Sequence, residues 1–480
     1  MDHNHNNRYI NKKINTSKNV KFIKRYKKFT SNKRKYNNKY QLIHNKINIG
    51  GGYRTFIDDF KKRFSNPNEF TKTNLFTPVL NPTNRLIIIG DIHGDLLALV
   101  KCLKLAKCIQ EDLILPSEHP NFTKDTQFFT EYLNKLRWIG GNTHIVQLGD
   151  LIDRVRPQYD NGIHHYNNEL DATISEAIED EASTLKIFAL ITKLDDLAKQ
   201  VGGRFIPIIG NHELMNVEQN FGYVSLKEFA GFKNAFDTSE INNMISRKRS
   251  KFSHRNITHK ISIYRQQHKQ FNNNTTNNTT NNITNITKKT NIKNLIGYEE
   301  RAAAFAPGSI CANWLAIQCS PMIQIGSWLM VHGGIITGLF NNSINIYTIN
   351  TIIRSHLLGN TNAENEQKYN ELSNSGNNSI FWTRKISDYD DLPDNLGEYV
   401  DKVLDEYNSS ITNNKQFVKY VSVGHTPQFF NGKGVNNDND PRVWCCDIGM
   451  SRAFGKNNGK DTRTPAILEV LNDNITKVIM

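Results

Sequence analysis

Five short apolar runs along this chain each end in a small cluster of metal-ligating residue types. They are LIIIGDIHGD (86–95), HIVQLGDLIDR (144–154), FIPIIGNHE (205–213), WLMVHGG (328–334) and YVSVGHTP (420–427). Each reads as a buried strand that stops at a glycine and hands over Asp, Asn or His at its carboxyl end. Open α/β sheets place their ligands there, in the crevice beyond the strand ends. One such stretch would be an ordinary turn, because Asp and Asn are common turn residues. Five of one polarity, carrying Asp91, His93, Asp150, Asn211, His332 and His425, predict a single shared site.

The segments between these runs predict helices. LLALVKCLKLAKC (96–108) has Leu96, Leu99, Val100 and Leu103 at helical spacing. Glu169 to Val201 reads as one or two helices, acidic at the start and basic near the end, as the helix dipole favours. Strand–helix alternation predicts an α/β fold with a largely parallel core. Near the C-terminus, VWCCDIG (443–449) and AILEVL (466–471) return to strand-like runs that would complete a sheet.

Charge is distributed unevenly. Residues 1–48 hold 14 Lys+Arg against one acid, and 241–298 hold 11 Lys+Arg and no acid. Of the overall +14, the remaining residues therefore carry −10, so the body bearing the motifs is acidic. Residues 1–48 read as a disordered basic tail. Residues 49–480 read as one catalytic domain with a low-complexity insertion at about 246–294, including the Asn/Thr tract 271–291. A second variable-looking stretch, 358–379, precedes FWTR (381–384). The runs KRYKK (24–28) and KRKYNNK (33–39) suit a nuclear address or a nucleic-acid contact, although no aromatic or glycine pattern of a nucleic-acid module accompanies them. No apolar stretch approaches the roughly 18 residues of a membrane span, and the first 50 residues hold no signal-peptide core. The expectation is a soluble, non-secreted protein, cytoplasmic with a nuclear location as the alternative, without a membrane partner. The six cysteines show no metal-binding spacing and read as reduced core residues.

Chemically, the six site residues make an oxygen and nitrogen donor set without thiolate. That composition suits Mn, Fe or Zn better than Ca, which takes oxygen alone, or Cu(I), which takes sulfur. Two neighbouring dications need a shared group, and a carboxylate serves. Such a pair would lower the pKa of water and hold two phosphate oxygens in line for attack. Phosphoryl transfer asks mainly for positioning and charge neutralisation. Arg154, shortly after Asp150, could offer a phosphate a bidentate fork. His212, beside Asn211, is placed to protonate a leaving alkoxide, with an acid such as Asp153 orienting it. Glu213 reads as an orienting group rather than a ligand.

GDIHGD, GDLIDR, GNHE, HGG and GHTP, in this order, resemble the calcineurin-like metallophosphoesterases, and within them the phosphoprotein phosphatase family. The stretch 300–334, with FWTR (381–384) and CDIGMS (446–451), resembles its bacterial-type, Shewanella-like branch. The resemblance covers roughly residues 84–450. It implies a central mixed β-sandwich flanked by helices, with the site at one edge. It also implies that Asp91 and His93 bind one metal, that Asp150 bridges, and that Asn211, His332 and His425 bind the second. His212 would be the general acid, Asp153 its orienting partner, and Arg154 and Arg384 the phosphate-binding arginines. The implied cofactors are two divalent ions, Mn first, with Fe or Zn as alternatives. The implied reaction is attack of a bridging hydroxide on a phosphomonoester of a Ser, Thr or Tyr phosphoprotein or phosphopeptide. Two departures stand out: Val155 follows Asp153-Arg154 where the family usually has Gly, and Pro427 stands where many phosphodiesterases carry a second His. The alternatives are hydrolysis of dinucleoside polyphosphates or another small phosphoester, and a nucleic-acid-associated binding protein working through its basic tail.

Overall fold

Along the apolar runs, alternate residues face two different cores, which is why the runs carry no polar face. The computed structural model describes residues 54–65, 77–113, 126–155, 158–160, 163–165, 182–237, 297–341, 343–411, 416–454 and 463–480. The basic tail 1–48, the insertion 246–294 and the helical expectation for Glu169–Glu181 lie outside these residues.

In chain order the described elements begin with helix α1 (Phe56–Phe64), strands β1 (Val79–Leu80) and β2 (Arg85–Ile89), α2 (Leu96–Leu105), α3 (Thr126–Lys135) and β3 (His144–Gln147). The pair β4 (Gln158–Asp160) and β5 (Ile163–His165) precedes α4 (Thr184–Lys199), β6 (Arg204–Pro207), α5 (Asn211–Val217) and α6 (Leu226–Ala235). Then come α7 (Tyr298–Phe305), α8 (Ile310–Gln318), β7 (Met322–Ile325), β8 (Trp328–Val331), α9 (Ile346–Leu357), α10 (Ala363–Ser373) and α11 (Leu396–Ser409). Strands β9 (Tyr420–Val423), β10 (Val443–Cys445), β11 (Ile467–Leu471) and β12 (Ile475–Ile479) close the chain.

Two five-stranded mixed sheets result. One has the order β12-β11-β2-β3-β6, the other β1-β7-β8-β9-β10. In the first, β2, β3 and β6 run parallel and β11 joins antiparallel; in the second, β8, β9 and β10 run parallel. Leu86, Ile88, Val146, Leu148 and Ile206 of the first sheet pack against Ile323, Ile325, Trp328 and Met330 of the second. Their neighbours Ile87, Ile89, Ile145 and Phe205 face the helices instead, in the larger core that also takes Leu329, Val331 and Val421. The architecture is therefore the helix-flanked β-sandwich that the resemblance implies, with strands buried on both faces. The sheets are stitched at one edge, where the Ile209 N–H donates to Ser320 O at 3.0 Å and the Ser320 N–H to Pro207 O at 2.9 Å.

The helices form for local reasons. Thr55 and Asp58 close a capping box over α1, whose Phe56, Phe60 and Phe64 are buried. Leu96–Leu105 is the helix expected after GDIHGD, capped by Asp95. The polar stretch 358–379 holds α10. There Asn362 caps the first turn, and Tyr369 and Leu372 supply the buried face. All six cysteines are free and buried. Trp314 and Trp328 are fully buried in the core.

Trp314 stacks on Phe188 at a centroid distance of 3.8 Å and donates its indole N–H to Thr192 Oγ1 at 2.8 Å, locking α8 onto α4. Trp314→Ala should therefore lower stability by about 3–5 kcal/mol in urea unfolding. A loss below about 1 kcal/mol would mean that this pair does not hold the two helices together.

Candidate metal centre and active site

Six parallel strand ends meet at one end of the sandwich. β2 delivers Asp91 and His93, β3 Asp150 and β6 Asn211; β8 delivers His332, β9 His425 and β10 Asp447. All seven side chains are buried, between 0% and 7% exposed. Such burial of acids and imidazoles demands partners. The backbone is strained to bring them together. His93 (φ 38°), Asp150 (φ 50°), Asp153 (φ 70°) and His425 (φ 65°) all sit in the left-handed region that non-glycine residues avoid.

Asp150 is the hub. His332 Nε2 lies 3.3 Å from its Oδ1, and His93 Nε2 and His212 Nε2 each lie 3.8 Å from its Oδ2. Burial alone would raise the Asp150 carboxyl, but the surrounding imidazoles, His332 foremost, outweigh it and hold it well below its ordinary value. Glu213 builds the loop: it accepts N–H groups from Asp150 (3.0 Å), Leu151 (2.9 Å) and Gly210 (2.8 Å). It is an orienting group, as expected.

Around Asp150 the ligand-type atoms form two groups, His93–Asp150–His212 and Asp150–His332–His425. Asp91 stands beside the first, with Oδ2 3.9 Å from His93 Nε2 and accepting the His425 N–H at 3.0 Å. In the second group, ring tautomers follow from the outer partners. His332 Nδ1 faces Leu148 O at 2.7 Å and His425 Nε2 faces Trp382 O at 3.2 Å. A carbonyl only accepts, so each of these nitrogens carries the proton and the other ring nitrogen turns a lone pair inward. Asn211 Oδ1 joins them at 2.8 Å from His332 Nε2 and 3.1 Å from His425 Nδ1. Three acceptors this close repel one another. A cation between them, a proton on His332 Nε2, or a turned amide relieves that repulsion; the turned amide would set its NH₂ against the same atoms and both Asp150 oxygens at 3.3 Å. A mixed carboxylate, amide and imidazole set with inward lone pairs fits a divalent ion. His425 is pushed far below its ordinary value by burial and then by the Arg384 guanidinium, which keeps it neutral as a ligand requires.

Beside this cluster, His212 Nδ1 lies 2.9 Å from Asp153 Oδ2. Asp153 is held in turn by Asn216 Nδ2 (2.9 and 3.0 Å) and faces Arg301 Nη2 at 3.4 Å. Arg301 is fully buried between the rings of Phe232 and Phe305, at 4.8 and 4.9 Å, and pairs with Glu228 at 3.2 Å. Arg154 is 1% exposed, with Nη1 3.5 Å from Asp95 Oδ2. Arg384 is half-buried, and its charge acts on His425 and Asp447. Trp382 walls the site, its ring 5.8 Å from that of His425. Val155, at the departure from the family pattern, is buried and donates its N–H to Tyr223 O at 3.0 Å; Tyr223 in turn sits edge-on to the His212 ring.

The structure thus gathers Asp91, His93, Asp150, Asn211, His212, His332, His425 and Asp153, and sets Arg384 beside His425 and Arg154 beside Asp95. Sequence reasoning missed Asp447, Arg301 and Asn216. Asp447 had a visible signal, since VWCC is also an apolar run ending in Asp. Its carboxyl is pushed up to about 6, chiefly by burial and further by the Asp150 charge, while the Gly449 N–H works against the rise. Arg301 and Asn216 carried no spacing signal.

The glycine before Asp150 is required twice over. Gly149 has φ 96°, and a Cβ there would lie 2.7 Å from His332 Nδ1 and 2.8 Å from Gly210 Cα. Gly141 (φ 58°) has nothing within 4 Å of such a Cβ. Gly141→Ala should cost about 1–2 kcal/mol from backbone conformation alone, and Gly149→Ala should cost clearly more in parallel urea titrations. Equal losses would show that the crowding at Gly149 is relieved without penalty.

Residues 84–300 match the calcineurin-like phosphoesterase family, a span that holds the loops bearing Asp91, His93, Asp150, Asn211 and His212. The chain is 24% identical over 421 residues to Shewanella-like protein phosphatase 2 of Arabidopsis thaliana, covering 86% of this chain and 81% of that one. It is 23% identical over 297 residues to an uncharacterized protein of Acanthamoeba polyphaga mimivirus, covering 59% and 94% of the two chains. Among solved structures, a cold-active protein-tyrosine phosphatase of a psychrophilic Shewanella is similar with a TM-score of 0.48 and 15% identity, over 85% of this chain and 83% of that one. Residues 84–300 therefore carry a calcineurin-like phosphoesterase domain.

Proposed function

We propose that this chain is a metal-dependent phosphoprotein phosphatase that hydrolyses phosphomonoesters of Ser, Thr or Tyr, with residues 49–480 as its catalytic domain. The observation that carries the reading is Asp150, buried between two groups of donors with the His212–Asp153 pair alongside. The similarity to Shewanella-like protein phosphatase 2 supports a phosphoprotein substrate. Asp91, His93 and Asp150 would hold one ion, and Asp150, Asn211, His332 and His425 the other. Two bound divalent ions, Mn first and Fe or Zn as alternatives, would supply Lewis acidity toward phosphate oxygens and a lowered pKa for attacking water.

The protein's own groups do the rest. His212 meets Asp153 through Nδ1, which fixes its ring and leaves Nε2 on the side of Asp150. There it carries the proton that a serine or threonine alkoxide needs on leaving. Asp153 keeps its acceptor role because Asn216 and Arg301 both press donors on it. Arg154 and Arg384 bring guanidiniums that match phosphate oxygens in pairs. His212 Nε2 also falls within the first donor group, but Asp91 and His93 complete that shell, so His212 acts as acid rather than ligand.

The direct test is turnover of a phosphopeptide panel beside a dinucleoside tetraphosphate in the presence of Mn, with Asp150→Asn as the inactive control. Preference for the dinucleotide would overturn the phosphoprotein reading. His212→Ala should keep the metals and lose about 10²–10⁴-fold on phosphoserine peptides, with a much smaller loss on p-nitrophenyl phosphate, whose leaving group barely needs a proton. Equal losses would remove His212 from the acid role.

A pH dependence follows as well. Burial works to lower His332, but Asp150 beside it prevails and holds its pKa above the ordinary value. Without an ion, the proton persists to higher pH than on a free imidazole, so ion uptake must displace it and affinity must fall as pH drops. Calorimetric Mn titrations in buffers of different ionisation enthalpy should report proton release. Binding without any release would contradict this assignment.

A further inference from the structure

We propose that Asp447 is an outer carboxylate of the metal centre, a charge that strengthens the hold on a dication from beyond the two groups of close donors. The inference rests on the metal-dependent part of the proposed function and adds a residue to it. Strand register puts Asp447 at the site. β10 pairs parallel with β9 through Cys445 and Val423, so Asp447 and His425 leave the two strands side by side, each two positions further on. Across the sandwich, the backbone at Cys446 and Asp447 abuts the loop of Asp91: a Cβ at Gly90 would lie 2.0 Å from Cys446 O and 3.1 Å from Asp447 N. The Asp150 carboxylate, the His332 ring and the Arg384 guanidinium all act on the Asp447 carboxyl.

The side chain is 0% exposed, and its two oxygens are treated differently. Oδ1 accepts the Gly449 N–H at 2.9 Å, in a turn that Gly449 makes with φ 62°. Oδ2 has no hydrogen-bond partner among the described residues. Other buried carboxyls nearby are occupied: Glu213 accepts three N–H groups, and Asp153 accepts from Asn216 Nδ2 and faces Arg301. A buried acid oxygen left without a donor is costly, and a cation is a partner that offsets the cost. Arg384 does not fill that place, because no hydrogen bond from it reaches Oδ2. Asp447 belongs to neither close donor group around Asp150, so its contribution is charge rather than coordination. Against a pair of dications, Asp91 and Asp150 bring negative charge while the amide and the neutral imidazoles bring none. A third carboxylate close behind them answers part of that excess, and the charge count of a site sets its affinity.

The test uses the full-length protein with Mn as the probe, its affinity read by calorimetry without substrate. Asp447→Asn keeps an oxygen for the Gly449 N–H but drops the charge, and should lower Mn affinity by about 10–100-fold. Asp447→Ala, which loses the turn's hydrogen bond as well, should bind Mn no worse than Asp447→Asn although its metal-free form unfolds at lower urea. Mn affinity that is normal in Asp447→Asn and reduced only in Asp447→Ala would overturn the proposal, because the turn rather than the charge would then set the site. So would an Asp447→Asn protein that binds Mn normally but inorganic phosphate weakly, which would give the carboxylate to Arg384. An Asp447→Asn chain that fails to fold even with Mn supplied would overturn it too, since the charge would then serve the fold. The underlying reading fails separately. Wild-type protein that binds no Mn removes the metal centre, and wild-type protein that binds Mn but turns over no phosphomonoester removes the phosphatase.

Discussion

The Asp150 carboxylate is the constraint around which this molecule is arranged. It is almost fully buried, it stays ionised because imidazoles from three other segments face it, and its own backbone is twisted into the left-handed region. A carboxylate in that position is tolerable only if the surrounding loops are immobile. Glu213 supplies that immobility by gathering three N–H groups from two loops, and Gly149 and Gly210 supply the clearance. Burial of charge, backbone strain and the absence of side chains at particular positions are parts of one solution.

The sandwich explains how such strain is carried. Strands β2, β3 and β6 belong to one sheet and β8, β9 and β10 to the other, and these six strands are almost entirely buried. The loops bearing the clustered side chains therefore extend from strands that cannot slip, because a one-residue shift would turn every inner side chain toward the wrong core. Behind them lies a second layer of buried polar groups. Arg301, Asn216, Glu228 and Asp153 form one connected set, and Asp95, Arg154 and Arg452 another.

Much of this was legible in the residues. Strand ends could be read because an apolar run broken by Gly-Asp or Gly-Asn has few other uses, and the Asp153–His212 pair because both lie within such ends. Asp447 was legible in principle by the same rule. Arg301 was not, since it meets Asp153 across 148 positions from within a helix whose pattern declares only packing. Arg452 and Asp95 are 357 positions apart, and only tertiary folding makes one relevant to the other. Helix α10 was hidden for a different reason: its composition is polar, and two buried side chains with one capping Asn suffice to hold it.

The seam at Ile208–Ser320 has a consequence for how the protein fails. Four of the seven clustered side chains ride on one sheet and three on the other, so the distance between the two sets is only as well defined as the alignment of the layers. Warming or cosolvent that lets the layers slide, well before either melts, would pull imidazoles away from carboxylates. Loss of the cluster would then precede loss of secondary structure, making the centre itself the most sensitive gauge of how tightly the two layers are clamped.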